Sequence, residues 1–355
     1  MTISERFRKN FFDTFDGCSA LVLSASNRFY ITRFSSSDGA VLITPDENYL
    51  IVDFRYYEMA KNSCLGFKVV LADKGILKTV KEICDKDCVN NLVLEDNFLT
   101  VSQNDKIVQL FDEFSLHYFG DFIEKLRAVK SLEEIKLIKE SQKLTDEVFS
   151  HILSFIRCGI TENEVAAEIE YFFKKNGAEP AFKTIAVSGK KSACPHGEPS
   201  NVLLTENSFL TMDFGAKLDG YCADMTRTVV LGKADTEMKE MYETVLQAQK
   251  NALMKIKSGV LGCEVDFAAR DYISQKGYGH AFGHATGHGL GIDVHESPSF
   301  SINYKLPILK NSVLSVEPGV YLEGKYGVRI EDIVVINDNG LENLTQSNKN
   351  LIEIS

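Results

Sequence analysis

Over the first third of the chain, short apolar runs alternate with amphipathic stretches. ALVLSA (20–25), AVLITP (40–45), YLIVDF (49–54), FKVVLA (67–72) and NLVLED (91–96) are each six residues long and read as buried strands. RYYEMAKNS (55–63) and ILKTVKEICDK (76–86) between them carry a helical pattern, so residues 1–124 are expected to form an α/β domain. The period changes between 122 and 128. In the stretch 123–159, Ser131 followed by Glu134 makes a capping box, and Ile135, Ile138 and Leu144 follow at helical spacing. Thr161 with Glu164 starts a second helix, which ends at Gly177. Strand patterns return after 180 in AFKTIAVSG, SFLTMDFG and YCADMTRTVVLG. A long helix (236–259) and another near 263–277 come next, before the glycine-rich strands SVLSVEPGVYLEG and KYGVRIEDIVVIND. Residues 125–355 are therefore expected to form an α+β domain with helices over antiparallel hairpins.

Two hairpins carry paired acids. Asp is disfavoured in strands and costly to bury alone, yet Asp213 follows the apolar FLTM and Asp224 precedes TRTVVLG. A hairpin folded symmetrically about the turn-rich AKLDG sets Asp213 opposite Asp224, with Cβ atoms about 4.5–5.5 Å apart. Glu317 in SVEPG and Glu331 in VRIED have Gly324 midway between them, so a second hairpin faces two more acids at each other. Arg329 lies two residues from Glu331 and shares its face in a regular strand. A lone acid of this kind would normally sit at an edge or turn in water. Two hairpins with the same device point instead to carboxylates gathered around cations.

Four of the seven histidines, His280, His284, His288 and His295, fall within 16 residues. The spacing of His284 and His288 mimics a zinc-binding HExxH helix, but Ala285 stands where that motif needs its Glu. Gly283, Gly287, Gly289 and Gly291 would each cost a helix roughly 1 kcal/mol. A glycine-rich strand and loop, with the backbone close to a ligand, is expected. His196 adds a further histidine in the turn-rich SACPHGEPSN. Carboxylates with one imidazole suit Mn, Co, Zn or Fe, and two such metals can share bridging carboxylates and activate a water.

Composition narrows this only slightly. The chain has 355 residues, 44% hydrophobic and 25% charged, which is enough for two folded domains. Its net charge of -11 argues against a nucleic-acid partner. The eight cysteines form no CxxC pair and read as free thiols of a reducing, cytoplasmic location. No leader peptide and no membrane-spanning run are expected.

MDFGAKLDGYCADMTRT, GHATGHGLGIDVHES, SVEPGVYL and GVRIED, in this order, resemble the metal-site motifs of the pita-bread metallopeptidases, and among them the Xaa-Pro aminopeptidases and Xaa-Pro dipeptidases (prolidases). AVSGKKSACPHGEPSN resembles the loop before the metal hairpin, and RFYITRFSSSDGAVLIT and VDFRYYEMA echo the family's N-terminal half. The resemblance implies a creatinase/prolidase-like α/β domain followed by a pita-bread catalytic domain. It implies two divalent metals, Mn or else Co or Zn, held by Asp213, Asp224, His288, Glu317 and Glu331, with Asp224 and Glu331 bridging. A metal-bridging hydroxide would attack the carbonyl before proline. Glu317 would handle the proton of the attacking water and His295 would steady the intermediate, with His284 and His196 on the substrate side and Arg329 beside the metals. His280 matches no family position. A homodimer is implied as well, with the N-terminal domain at its interface.

The activity so implied is hydrolysis of the Xaa-Pro bond at the N-terminus of peptides. The alternative is a prolidase restricted to dipeptides, which must recognise a free carboxylate. Methionine aminopeptidases share the five ligands but lack such a preceding domain. Creatinase-type hydrolases share the domains but not the ligands, and a binding protein on this fold would have lost the metals. Phe182 is expected either in the proline pocket or in the core. Cys194 stands where an aliphatic residue is usual, and Cys222 falls on the Asp224 side of its strand or packs.

Overall fold

The computed structural model describes residues 1–354 and divides into two units, Met1–Leu126 and Arg127–Ser355. The first is built on a six-stranded sheet in the order Lys68–Leu71, Asn48–Val52, Ala40–Ile43, Ser19–Val22, Asn91–Leu94, Ser115–Tyr118. Ala40–Ile43 runs antiparallel to both neighbours and the remaining pairs are parallel. The five apolar runs all lie on strands. Leu21, Leu42, Ile51, Leu92 and Leu94 fill one core, each contributing roughly 1.5–3 kcal/mol by leaving water. Lys68–Leu71 differs from expectation in being part exposed, because it is an edge strand with one partner. The opposite edge, Ser115–Tyr118, escaped the sequence reading because SLHY has no apolar run.

The second unit has two apolar cores. Helices Leu132–Phe155 and Glu162–Lys175, each opened by the expected capping box, pack through Val148, Ile152, Val165 and Ile169 against Leu210, Met212 and Val229. These last residues belong to a sheet in the order Glu353–Ile354, Met225–Leu231, Ser208–Phe214, Ile185–Ser188. Helices Thr236–Lys255 and Gly262–Gln275 pack through Met241, Val245 and Val265 against Leu314, Val316 and Val334. Those residues lie in a five-stranded sheet that includes Gly287–Gly289, Val313–Val316 and Asp332–Asn337. Among the described residues, no helix is long and apolar enough to cross a membrane.

The first acid hairpin differs in register from the sequence reading. Asp213 pairs with Thr226, not with Asp224. The turn is the two-residue Asp219-Gly220, both at positive φ (49° and 81°), flanked by the pair Leu218↔Tyr221. Asp-Gly is the natural choice for such a tight hairpin, and it moves the fold point past the middle of AKLDG. Asp224 is left diagonal to Asp213, beside Gly215. A Cβ on Gly215 would come within 1.8 Å of the Ala223 carbonyl oxygen. The second hairpin keeps its expected register. The pairs Val316↔Asp332 and Gly319↔Arg329 flank Glu317 and Glu331, which stand opposite each other just outside both ladders.

Candidate metal centre

The histidine segment is strand and loop rather than helix: Gly287–Gly289 is a β-strand, and only Gly279–Ala281 makes a 3-10 turn. Two of the glycines, Gly287 and Gly289, let neighbouring backbone come close. A Cβ on Gly287 would lie 2.0 Å from the Ser315 carbonyl oxygen, so glycine lets the two strands touch. His288 is thereby carried beside the acid hairpins. Its backbone N–H donates to Ser315 Oγ (3.0 Å), and the same hydroxyl donates to Glu317 Oε1 (3.2 Å). The Glu317 amide donates to the Thr286 carbonyl (2.8 Å). Thr286 in turn gives both its N–H and its hydroxyl to the buried Asp266, which is locked to Arg270 by two bonds of 2.8 and 2.9 Å. Arg270 also donates to the His284 carbonyl (2.7 Å), so helix Gly262–Gln275 fixes the loop between the two histidines.

Asp213, Asp224, His288, Glu317 and Glu331 all line one cleft of about 540 Å³. The ligand atoms of Asp224, His288 and Glu331 lie within 4.8 Å of one another. His288 Nε2 is 3.2 Å from Glu317 Oε1 and 3.7 Å from Asp224 Oδ2. Its Nδ1 bonds the Gly289 carbonyl at 3.1 Å, which directs Nε2 at the acids. Asp213 Oδ1, Asp224 Oδ1 and Glu331 Oε1 are buried and make no hydrogen bond among the described residues. Unpartnered buried carboxylate oxygens are expensive, and acids that line one cleft with an imidazole, Asp224 and Glu331 within 4.8 Å of it, form a donor set that suits divalent cations.

The electrostatics reflect this crowding. Burial, then Glu331, Asp213 and Glu317, push the Asp224 carboxyl well above its usual range. Burial, then Glu317 and Asp213, do the same to Glu331. At Glu317 burial opposes charge, but the bond to His288 outweighs it and holds the group down to about 2. His288 is the mirror case: burial works against its proton, yet Glu317 draws it up to about 9. A cation among these groups removes the reason for that proton.

Arg329 is 4% exposed and four of its donors are engaged. Nε donates to Thr226 Oγ1 (2.9 Å), NH1 to the Pro195 carbonyl (3.2 Å) and Tyr321 Oη (2.9 Å), and NH2 to Asp213 Oδ2 (2.6 Å). The Thr226 hydroxyl donates in turn to Glu331 Oε2 (2.7 Å). Tyr321, holding Arg329 on one side, meets His284 Nε2 at 2.9 Å, while His284 Nδ1 bonds the Ala285 carbonyl at 2.8 Å. Burial lowers the proton affinity of His284, and burial followed by His288 lowers that of His295. Tyr321, Thr226 and Ser315 were missed in the sequence because each sits in an apolar strand and reads as packing.

His196, His284 and His295 all line the cleft, as does Phe182, whereas His280 lies exposed on its 3-10 turn outside it. Cys222 packs: its thiol donates to the Ile292 carbonyl (3.3 Å), and burial pushes it up to about 12. Cys194 is exposed next to Pro195. Two further buried acids hold the cleft's loops. Glu162, fully buried, accepts from Ser188 N–H and Oγ–H (2.7 and 3.1 Å), Lys191 Nζ (3.0 Å), and Ser200 N–H and Oγ–H (3.1 and 2.8 Å), so both ends of the loop bearing His196 meet at one carboxylate. Glu296, with a side chain 6% exposed, accepts from Arg127, from Lys130 (3.0 Å) and from Asp293 N–H (3.0 Å), next to His295.

A cleft whose floor gathers four carboxylates and an imidazole, under a wall of histidines, is the arrangement of a metal-dependent hydrolase. Comparison with known proteins carries this further. The model of metallopeptidase family M24 matches residues 136–338, and that of the creatinase/prolidase N-terminal domain matches 16–129. An uncharacterized peptidase of Bacillus subtilis is 39% identical over 94% of both chains. The solved Xaa-Pro dipeptidase from Bacillus anthracis superposes with a TM-score of 0.95 at 37% identity, covering 99% of each chain. The X-Pro aminopeptidase from Thermotoga maritima superposes with a TM-score of 0.90 at 36% identity, covering 95% of this chain and 97% of its own. The chain belongs to metallopeptidase family M24, and the expected creatinase/prolidase-like domain followed by a pita-bread catalytic domain is borne out. The family implies divalent metal ions.

Proposed function

We propose that this enzyme is an exopeptidase that hydrolyses the bond between an N-terminal residue and the proline after it. It would work with two divalent cations held by Asp213, Asp224, His288, Glu317 and Glu331. The observation that carries this is the set of three buried, unpartnered carboxylate oxygens on the cleft floor. The likeness to one solved Xaa-Pro dipeptidase and one X-Pro aminopeptidase supports the choice of bond. Bound cations would polarise the scissile carbonyl and lower the pKa of a water toward neutrality.

The chain's own residues would do the rest. Glu317, ionised and facing the cleft, takes up the proton of the attacking water. His295, kept neutral near pH 7, has an N–H to give to the oxyanion of the tetrahedral intermediate, and His196 lines the cleft as a second such donor. His284 has both nitrogens committed, to Ala285 and Tyr321, so it serves as a fixed wall. Phe182, Pro195, Pro199 and Val294 give the cleft an apolar side suited to a ring. Proline offers no N–H after the scissile carbonyl, so a site anchored by metals and histidines loses nothing there.

The test is to load the purified protein with Mn²⁺, Co²⁺ or Zn²⁺ and supply Xaa-Pro and Xaa-Pro-Yaa-Zaa, following the released N-terminal residue by mass, with Asp224→Asn in parallel. Release that disappears in the variant is expected. Inertness toward both peptides with all three metals would overturn the reading.

A further inference from the structure

Within the proposed activity, the open question is how the site distinguishes a substrate that ends at proline from one that continues. The first carries a carboxylate one residue beyond the scissile bond. Among the described residues lining the cleft, only Arg329 and Lys183 bear a permanent positive charge. Arg329 is unsuited to meet that carboxylate. It is buried, and its guanidinium is already shared among Asp213, Tyr321, Thr226 and the Pro195 carbonyl. Taking it away would strip Asp213 of its only cationic partner among the described residues.

Lys183 has the opposite character. It follows Phe182, and its ammonium meets Glu198 at 2.7 Å. Glu198 stands on the loop that carries His196, and both side chains of the pair line the cleft while remaining 70% and 72% exposed. An exposed pair of this kind contributes little to stability. It is therefore readily exchanged for another carboxylate of equal charge, and a lysine's flexible stem can follow it. The next residue, Thr184, is 2% exposed and lines the same wall. Its hydroxyl is buried and makes no hydrogen bond among the described residues.

From this we infer that Lys183 is a specificity-determining residue: it receives the free carboxylate of a substrate ending at proline and releases Glu198 in exchange. The inference rests on the Xaa-Pro reading and deepens it. With an Xaa-Pro dipeptide, the substrate carboxylate replaces Glu198. With a longer chain no carboxylate arrives at this point, the pair stays closed, and the peptide continues past it. The enzyme then cuts both but prefers the dipeptide. Glu198 is the group that moderates the preference, since its charge competes with that of the substrate.

The experiment compares Xaa-Pro with Xaa-Pro-amide, which differ only in that charge, and reads the ratio of their kcat/KM values. Lys183→Met is expected to lower the ratio about tenfold, Lys183→Arg to restore most of it, and Glu198→Gln to raise it. The wild-type ratio should also fall with added salt, as an exposed charge contact does, and that slope should flatten in Lys183→Met. A ratio unmoved by both Lys183→Met and Glu198→Gln would overturn the inference while leaving the peptidase reading intact. A wild-type enzyme that cuts neither compound but cuts Xaa-Pro-Yaa-Zaa would overturn the inference alone; one that also leaves Xaa-Pro-Yaa-Zaa intact with Mn²⁺, Co²⁺ and Zn²⁺ would overturn the peptidase reading, and the inference with it. Both side chains are exposed, so the variants should fold, and far-UV circular dichroism checks this.

Discussion

Arg329 holds Asp213 through a single bond of 2.6 Å to Oδ2, and the other carboxylate oxygen, Oδ1, is buried with no hydrogen bond among the described residues. One half of the acid is therefore fixed in direction and the other half presented to the cleft. Replacing Arg329 by Met should leave Asp213 free to turn. We expect metal affinity to drop about 10–100-fold, the usual effect of losing a group that orients a ligand. Calorimetric titration of the chelated protein with Mn²⁺ measures it; an unchanged affinity would count against the orienting role.

The crowded acids also set how the protein responds to metal removal. Without cations the three unpartnered oxygens are a standing cost, so chelation should lower Tm and Mn²⁺ should raise it. At 100 times Kd the gain is about 2.7 kcal/mol per site. In Asp224→Asn one of the opposed charges is gone. The metal-induced rise should vanish in that variant while the chelated protein melts no lower than chelated wild type. Differential scanning calorimetry with and without chelator distinguishes this from a simple loss of folding.

Gly287 is where two strands touch, and its requirement can be tested against a neighbour. A methyl group at 287 would sit 2.0 Å from the Ser315 backbone oxygen, whereas one at Gly283 would meet nothing within 4 Å. Gly287→Ala should cost about 3 kcal/mol or more and displace His288 from the acids, with loss of metal binding. Gly283→Ala should change stability by less than about 0.5 kcal/mol. Urea denaturation of the pair supplies the comparison.

Glu296 gives the fold a pH signature. Burial opposes its charge, but Lys130 and Arg127 outweigh burial and bring the carboxyl down to about 2 from an ordinary 4.5. A carboxyl depressed in the folded state stabilises it above the unfolded value and loses that contribution as pH falls through the folded one. Stability from this group, roughly 3 kcal/mol at most, is thus expected to be complete above about pH 4.5 and to drain away toward pH 2. Urea midpoints between pH 6 and pH 3 should fall less steeply in Glu296→Gln than in wild type. Parallel slopes would show that Glu296 is not the titrating group.

The residues that bear charge in unusual places were legible from sequence, because an acid inside an apolar strand violates the ordinary pattern. That violation singled out Asp213, Asp224, Glu317 and Glu331, and the glycines around His288 excluded a helix. The first hairpin's register was misjudged by a small shift, because pattern alone does not say which two residues of AKLDG adopt positive φ. Thr226, Ser315 and Tyr321 were invisible for a different reason. A hydroxyl in an apolar strand breaks no rule, and its importance comes only from what tertiary structure brings to it. Glu162 and Glu296 were hidden similarly: the first reads as part of a helix start, and the second as one more charge in a loop.

Glu162 grips both Ser188 and Ser200, so the eleven or so residues between them form a closed loop tied at its base. Residues inserted beyond that tie would add little closure cost, since lengthening an already closed loop is cheap. Ser192 and Pro195 bond Gly327 and Arg329, so it is past Pro195 that insertions leave the cleft floor alone. The stretch after His196, which carries Glu198, is thus free to change length in descent, and substrate range can drift there while the metal ligands stay put.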